Sequence, residues 1–142
     1  MRVLLLALAV AVVPSLVQAA EHPVHEGKWE VTSSTSFPGM GQMPAQTHTQ
    51  CITHKDMVPK HDSPRAKNCK VTEQKLDGST VNWKVQCEGS HGPIEGSGAL
   101  TYSHDRFTGA LKFTMNDPRG GGPMEITTTM DGKRVGECDD AK

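Results

Sequence analysis

Residues 94–116 alternate with a period of two. Ile94, Gly96, Gly98, Leu100 and Tyr102 fall on one side, and beyond His104-Asp105 the pattern resumes with Phe107, Gly109, Leu111, Phe113 and Met115. Successive side chains of a strand point to opposite faces, so this alternation predicts two half-buried strands joined by a turn. The same period recurs in shorter runs. Trp29, Val31 and Ser33 share a face within 28–36, Thr47, Thr49 and Cys51 within 46–52, Val81, Trp83, Val85 and Cys87 within 80–88, and Met124, Ile126, Thr128 and Met130 within 124–130. Segments 69–76 and 133–138 complete the expected strands.

Turn residues separate these runs. Asp77-Gly78 is a hairpin signal, Asp131-Gly132 reads as another turn, and 37–44 and 117–123 read as loops. Segment 53–68, with Pro59 and Pro64, is expected to be for the most part a surface excursion, which can open on a short helical turn at Thr53. The fold class is therefore all-β: an antiparallel up-and-down meander of about eight strands, as a closed or partly open small barrel, because closure removes exposed strand edges. Glycines 96, 98 and 109 on the apolar face indicate sharp coiling or close backbone approach, and they either leave room for one small ligand or let the sheet coil until no void remains.

The N-terminus reads as a secretory signal. Arg2 gives a positive start, 3–13 is an unbroken apolar run, and Val17-Gln18-Ala19 ends in a small-x-small site, so cleavage is expected after Ala19. The domain is then 20–142, with 20–26 as a disordered leader. The apolar run is too short to span a bilayer with ease, and no later stretch is long enough to be a transmembrane segment. Export implies the periplasm or secretion. With 15 basic against 16 acidic residues, the charge balance does not favour nucleic acid as a partner.

Cys51, Cys69, Cys87 and Cys138 are an even set in an oxidising compartment, so two bridges are expected. If Asp77-Gly78-Ser79 is the hairpin loop, Cys69 falls opposite Cys87 and Cys51 is left for Cys138. The rival pairing, Cys51 with Cys69 and Cys87 with Cys138, stays open at this point, because spacing does not decide connectivity. No Cys-x-x-Cys pair points to a zinc or redox site.

Several motifs together resemble a known family: Gly27-Lys28-Trp29-Glu30-Val31, Phe37-Pro38-Gly39-Met40, Thr49-Gln50-Cys51-Ile52-Thr53, Val81-Asn82-Trp83 through Cys87-Glu88-Gly89, Gly96-Ser97-Gly98 with Thr101-Tyr102-Ser103, and Gly132-Lys133-Arg134-Val135-Gly136-Glu137-Cys138. Over nearly the whole mature chain the sequence is similar to the bacterial exported family called domain of unknown function 3617. The resemblance implies export and a β fold. It implies no activity and no catalytic residues.

No nucleophile elbow and no acid-base pair on an apolar face emerges, so the chain reads as a binding or accessory module and not as an enzyme. If it holds a small apolar ligand, Trp29, Trp83, Tyr102 and Phe113 are its candidate contacts, with the loop of Met40 and Met43 as a cover. No cofactor is expected under that reading. An alternative uses copper: cleavage after Ala19 leaves Ala20-Glu21-His22, whose amine, backbone nitrogens and imidazole can surround Cu(II), with His25 assisting, and Met40, Met43 and His48 offer ligands that suit Cu(I). His54, His61, His91 and His104 fall in loops and are expected to be solvated. A third reading is an envelope or partner-binding module with no small ligand.

Overall fold

The computed structural model describes residues 21–59 and 66–139. The expected signal segment, Ala20, His61 and Pro64 lie outside them. Eight strands form: β1 (Gly27–Phe37), β2 (Gly41–Gln42), β3 (Gln46–Ile52), β4 (Ala66–Asp77), β5 (Thr80–Gly89), β6 (Gly92–Ser103), β7 (Arg106–Asn116) and β8 (Pro123–Gly136). All belong to one antiparallel sheet in the order β2-β1-β8-β7-β6-β5-β4, with β3 also on β1.

Strands β4 to β8 are consecutive hairpins, the expected meander. β8 then returns to β1, with Val31 opposite Gly132 and Thr35 opposite Thr128. The first and last strands are thus neighbours, and β1 lies between β3 and β8. No ladder joins β3 to β4 among the described residues, so the barrel is the partly open form.

The concave face holds the core. Trp29, Val31, Val81, Trp83, Cys87, Ile94, Leu100, Tyr102, Phe107, Leu111, Phe113, Ile126 and Met130 are all buried, nearly as the two-residue period assigns them. Burial of such side chains contributes about 1.5–3 kcal/mol each, which is why the pattern is decisive.

Both bridges of the hairpin-based pairing form: Cys51 with Cys138, Cα atoms 5.4 Å apart, and Cys69 with Cys87, 4.0 Å apart. The route to the second differs from expectation. Asp77 pairs with Thr80, so the loop is only Gly78-Ser79, which alone would set Cys69 opposite Glu88. A bulge between Val71 and Glu73 shifts the register by one, and it is this extra residue that brings Cys69 to Cys87.

Three other expectations are corrected or refined. Asp131-Gly132 is not a turn: β8 runs through it, with Gly132 paired to Phe107 on one side and Val31 on the other. A Cβ on Gly132 would lie 2.1 Å from Phe107 Cε1, so the glycine is there to make room for a ring. The excursion after β3 is not all at the surface, since Met57, Val58 and Pro59 are buried. The leader is ordered from Glu21 onward, and Val24 is fully buried. These short apolar stretches lie outside any alternating run, and they are drawn inward because one end of the curled sheet would otherwise expose Trp29, Ile52, Tyr102 and Phe107.

Candidate functional site

The two ends of the curled sheet differ in chemistry. At the end where β1 begins and β8 finishes, Val24, Met57 and Val58 form a plug. The Tyr102 hydroxyl donates to the Met57 carbonyl at 2.7 Å, and Trp29 Nε1 donates to the His25 carbonyl at 3.1 Å. Trp29, Tyr102 and Phe107 pack against one another with ring centroids 5.6, 5.5 and 5.2 Å apart. Burial, and secondarily the charge of Asp56, pushes the Tyr102 phenol well above its ordinary value.

The opposite end is an open mouth. There Phe37-Pro38-Gly39-Met40 forms a tight turn, with Met40 N donating to the Phe37 carbonyl at 3.3 Å and Gly39 at φ 79°. Proline before a positive-φ glycine is the composition a type II turn requires. The turn projects Met40, which is 70% exposed. Across the mouth, the β7–β8 loop closes on itself: Asp117 N donates to the Gly122 carbonyl at 2.8 Å, and the Asp117 carboxylate accepts the Arg119 N–H at 2.8 Å. Asn116 Nδ2 reaches the His91 carbonyl at 3.4 Å and ties this loop to the β5–β6 turn.

Between these loops lies a groove of about 540 Å³. Its walls carry Phe37, Pro38, Met40, Ile94, Met115 and Met124, and its rim carries His91, Asp117 and Arg119. Methionines give such a wall adaptable, polarisable contact. Most of these residues stand at strand ends next to turns, where the alternating pattern carries little weight. Met40 was legible only through its Pro-Gly loop.

The four aromatics expected to meet a ligand are core side chains: Trp29 is 0%, Tyr102 2%, Trp83 3% and Phe113 9% exposed. Trp29, Tyr102 and Phe113 do not line the mouth groove, and neither does Trp83. Of the two outcomes open for the glycines, room for a ligand or a tighter coil, the space beside each of the three is filled. A Cβ on Gly98 would fall 2.3 Å from Trp83 Cζ2, one on Gly96 2.8 Å from Phe113 Cδ1, and one on Gly109 2.7 Å from Leu100 Cδ2. A large side chain on the adjacent strand covers Gly96 and Gly98, and at Gly109 the Ala99 carbonyl oxygen, 2.0 Å from such a Cβ, crowds the site as well, so the glycines mark close approach between neighbouring strands.

The residues of the copper reading are not brought together. His22 sits at the plugged end, Met40 and Met43 at the mouth, and His48 halfway along β3, bonded to Gln50 Oε1 at 3.2 Å. The length of β1, at roughly 3.3 Å per residue, separates the two ends by about 30 Å. His22 instead stacks on His54 with centroids 3.9 Å apart; its Nδ1 accepts the Val24 N–H at 3.2 Å, and His54 Nε2 donates to the Val24 carbonyl at 2.8 Å. His54 is exposed, as expected, and also helps hold the plug. His25 meets Asp105 at 3.2 Å and Glu21 at 3.4 Å. Among the described residues no group of three or more His, Cys, Asp or Glu is arranged to hold a metal, and no helix is long and apolar enough to cross a membrane.

Neither a curated protein nor a solved structure matches the chain. The family model described as "Protein of unknown function (DUF3617)" matches residues 24–138, a span that contains all eight strands, both disulfides, the plug residues and the mouth groove. This is the family whose motifs the sequence resembles, and the chain belongs to it.

Proposed function

We propose that the protein is exported, loses residues 1–19, and works outside the cytoplasm as a binding module that holds one small apolar or amphipathic molecule in the mouth groove. The observation that carries this reading is the groove itself. Its volume of about 540 Å³ lies within the usual range of small-molecule sites, and its walls are apolar with few polar groups at the rim. An exposed methionine beside Phe37 and Ile94 is costly in water unless something covers it. Binding is favoured over catalysis because the rim carboxylate of Asp117 is engaged by a backbone N–H of its own loop, while His91 and Arg119 lie at the solvent edge.

Native mass spectrometry of the protein taken from its host envelope is the direct test, with an environment-sensitive naphthylamine probe as the second readout. A co-purified small mass, together with probe emission that Met115→Glu abolishes, is the expected result. Protein that carries no adduct and binds no probe, or a probe signal indifferent to Met115→Glu, refutes the reading.

A further inference from the structure

The wall of the mouth groove carries an arc of soft donor atoms. Met115 on β7 lies directly opposite Met124 on β8, and both are half-buried, packed against the core. Opposite side chains in an antiparallel pair start from Cβ atoms about 4.5–5.5 Å apart, so two flexible thioethers can meet on one ion. The neighbouring strands extend the arc. β1 adjoins β8, and the turn that follows it brings Met40 to the groove. β6 adjoins β7, and its turn with β5 brings His91, whose carbonyl accepts from Asn116, the residue after Met115. All four side chains line the one groove.

Apolarity alone does not require methionine at these positions. Beyond residue 19 the sequence holds six methionines against three leucines, although leucine is the commoner residue in soluble domains and fills an apolar wall as well. What methionine adds is a thioether sulfur, a soft donor that suits Cu(I) and not harder ions. Stronger donors are withdrawn. All four cysteines are in bridges. Asp117, the one carboxylate on the groove among the described residues, accepts the Arg119 N–H of its own loop. We propose that the mouth arc binds one Cu(I) ion through the thioethers of Met115, Met124 and Met40 and the imidazole of His91. Met115 and Met124, set by the ladder, supply a fixed pair of ligands, and Met40, on its exposed turn, closes over the ion. Of the Cu(I) donors expected from sequence only Met40 belongs to this set, since Met43 and His48 do not line the groove. The site needs no organic molecule in the groove, so it stands apart from the small-molecule reading.

The test is an anaerobic titration of the full mature protein with Cu(I) in competition with the chromophoric chelator bicinchoninate, with Ag(I) as a redox-inert second probe. The protein is expected to withdraw one equivalent of Cu(I), and X-ray absorption of the complex to show sulfur neighbours. Methionine-to-leucine changes conserve volume and apolarity while removing the donor. Met115→Leu and Met124→Leu should each weaken Cu(I) at least about tenfold, the lower end of what even outer-shell changes cost a metal site. Met40→Leu and His91→Gln should weaken it severalfold, whereas Met43→Leu, outside the groove, leaves it unchanged. Urea denaturation checks that each variant folds as the parent does. Naphthylamine emission, read in parallel, separates loss of copper from loss of the groove, because the leucine variants keep the apolar wall. Failure to withdraw Cu(I) from the chelator, an affinity indifferent to Met115→Leu and Met124→Leu, or an equal loss in Met43→Leu overturns the proposal.

Discussion

The plugged end and the open mouth belong to one sheet and share its strands, yet one is sealed and the other is not. At the plugged end, each polar atom that enters the interior has a partner: the phenol of Tyr102 on the Met57 carbonyl, the indole of Trp29 on the His25 carbonyl, and both backbone groups of Val24 on histidines. At the mouth, two self-closed loops stand apart over Phe37, Ile94, Met115 and Met124, and no segment among the described residues fills the space. The contrast teaches where the barrel gains stability and where it can accept change. Stability concentrates where loops fold inward, and binding is available where they do not.

Four substitutions sharpen or break that contrast. Trp29→Ala removes the largest fully buried side chain at the plugged end, and urea denaturation should show a loss of about 3–5 kcal/mol. Next, Gly132→Ala drives a Cβ into the Phe107 ring and should cost about 1–3 kcal/mol by the same measurement. If it were neutral, the plugged end would be looser than its contacts imply.

Tyr102→Phe leaves the Met57 carbonyl without its donor and should cost about 1–2 kcal/mol. It should also change the alkaline response. The phenol titrates near 10 when unfolded and higher when folded, so its share of stability is complete below about pH 10 and is lost as pH rises beyond that. The gap between the native protein and Tyr102→Phe should therefore narrow above about pH 10. A constant gap through that window would mean that the hydroxyl is not buried.

The smallest effect on stability is expected at the mouth. Met40→Ala should shift unfolding by no more than about 0.5 kcal/mol, as for other exposed positions, while weakening naphthylamine binding severalfold. If Met40→Ala destabilised the fold as much as Gly132→Ala, the two ends would not differ as described.

Much of this was legible in advance where a residue's role depends on its own strand. The alternation in 94–116 assigned Leu100, Tyr102, Phe107, Leu111 and Phe113 to one face, and all are buried. The hairpin joining β4 and β5 led to Cys69 with Cys87, although through the wrong loop length, because a bulge leaves no mark that propensity can detect. The site was less legible. The largest aromatics are the obvious candidates for ligand contact, but a side chain that is big and alternates with polar residues is drawn to the centre, whereas a groove forms from what is left uncovered at a strand end. Gly98 illustrates the ambiguity: alone it signals missing volume, and only the neighbour across the ladder shows that Trp83 occupies it.

By itself, the sequence determined the faces of its alternating strands and the all-β class. Each of these depends on a period of two repeated within a few residues, and burial of one face is worth enough to enforce it. Tertiary structure alone decided that β8 joins β1, that Val24, Met57 and Val58 seal one end, and that Met40, Met115 and Met124 gather at the other. Those outcomes depend on contacts between segments tens of residues apart, where no local periodicity operates and the choice goes to whichever apolar surface most needs covering.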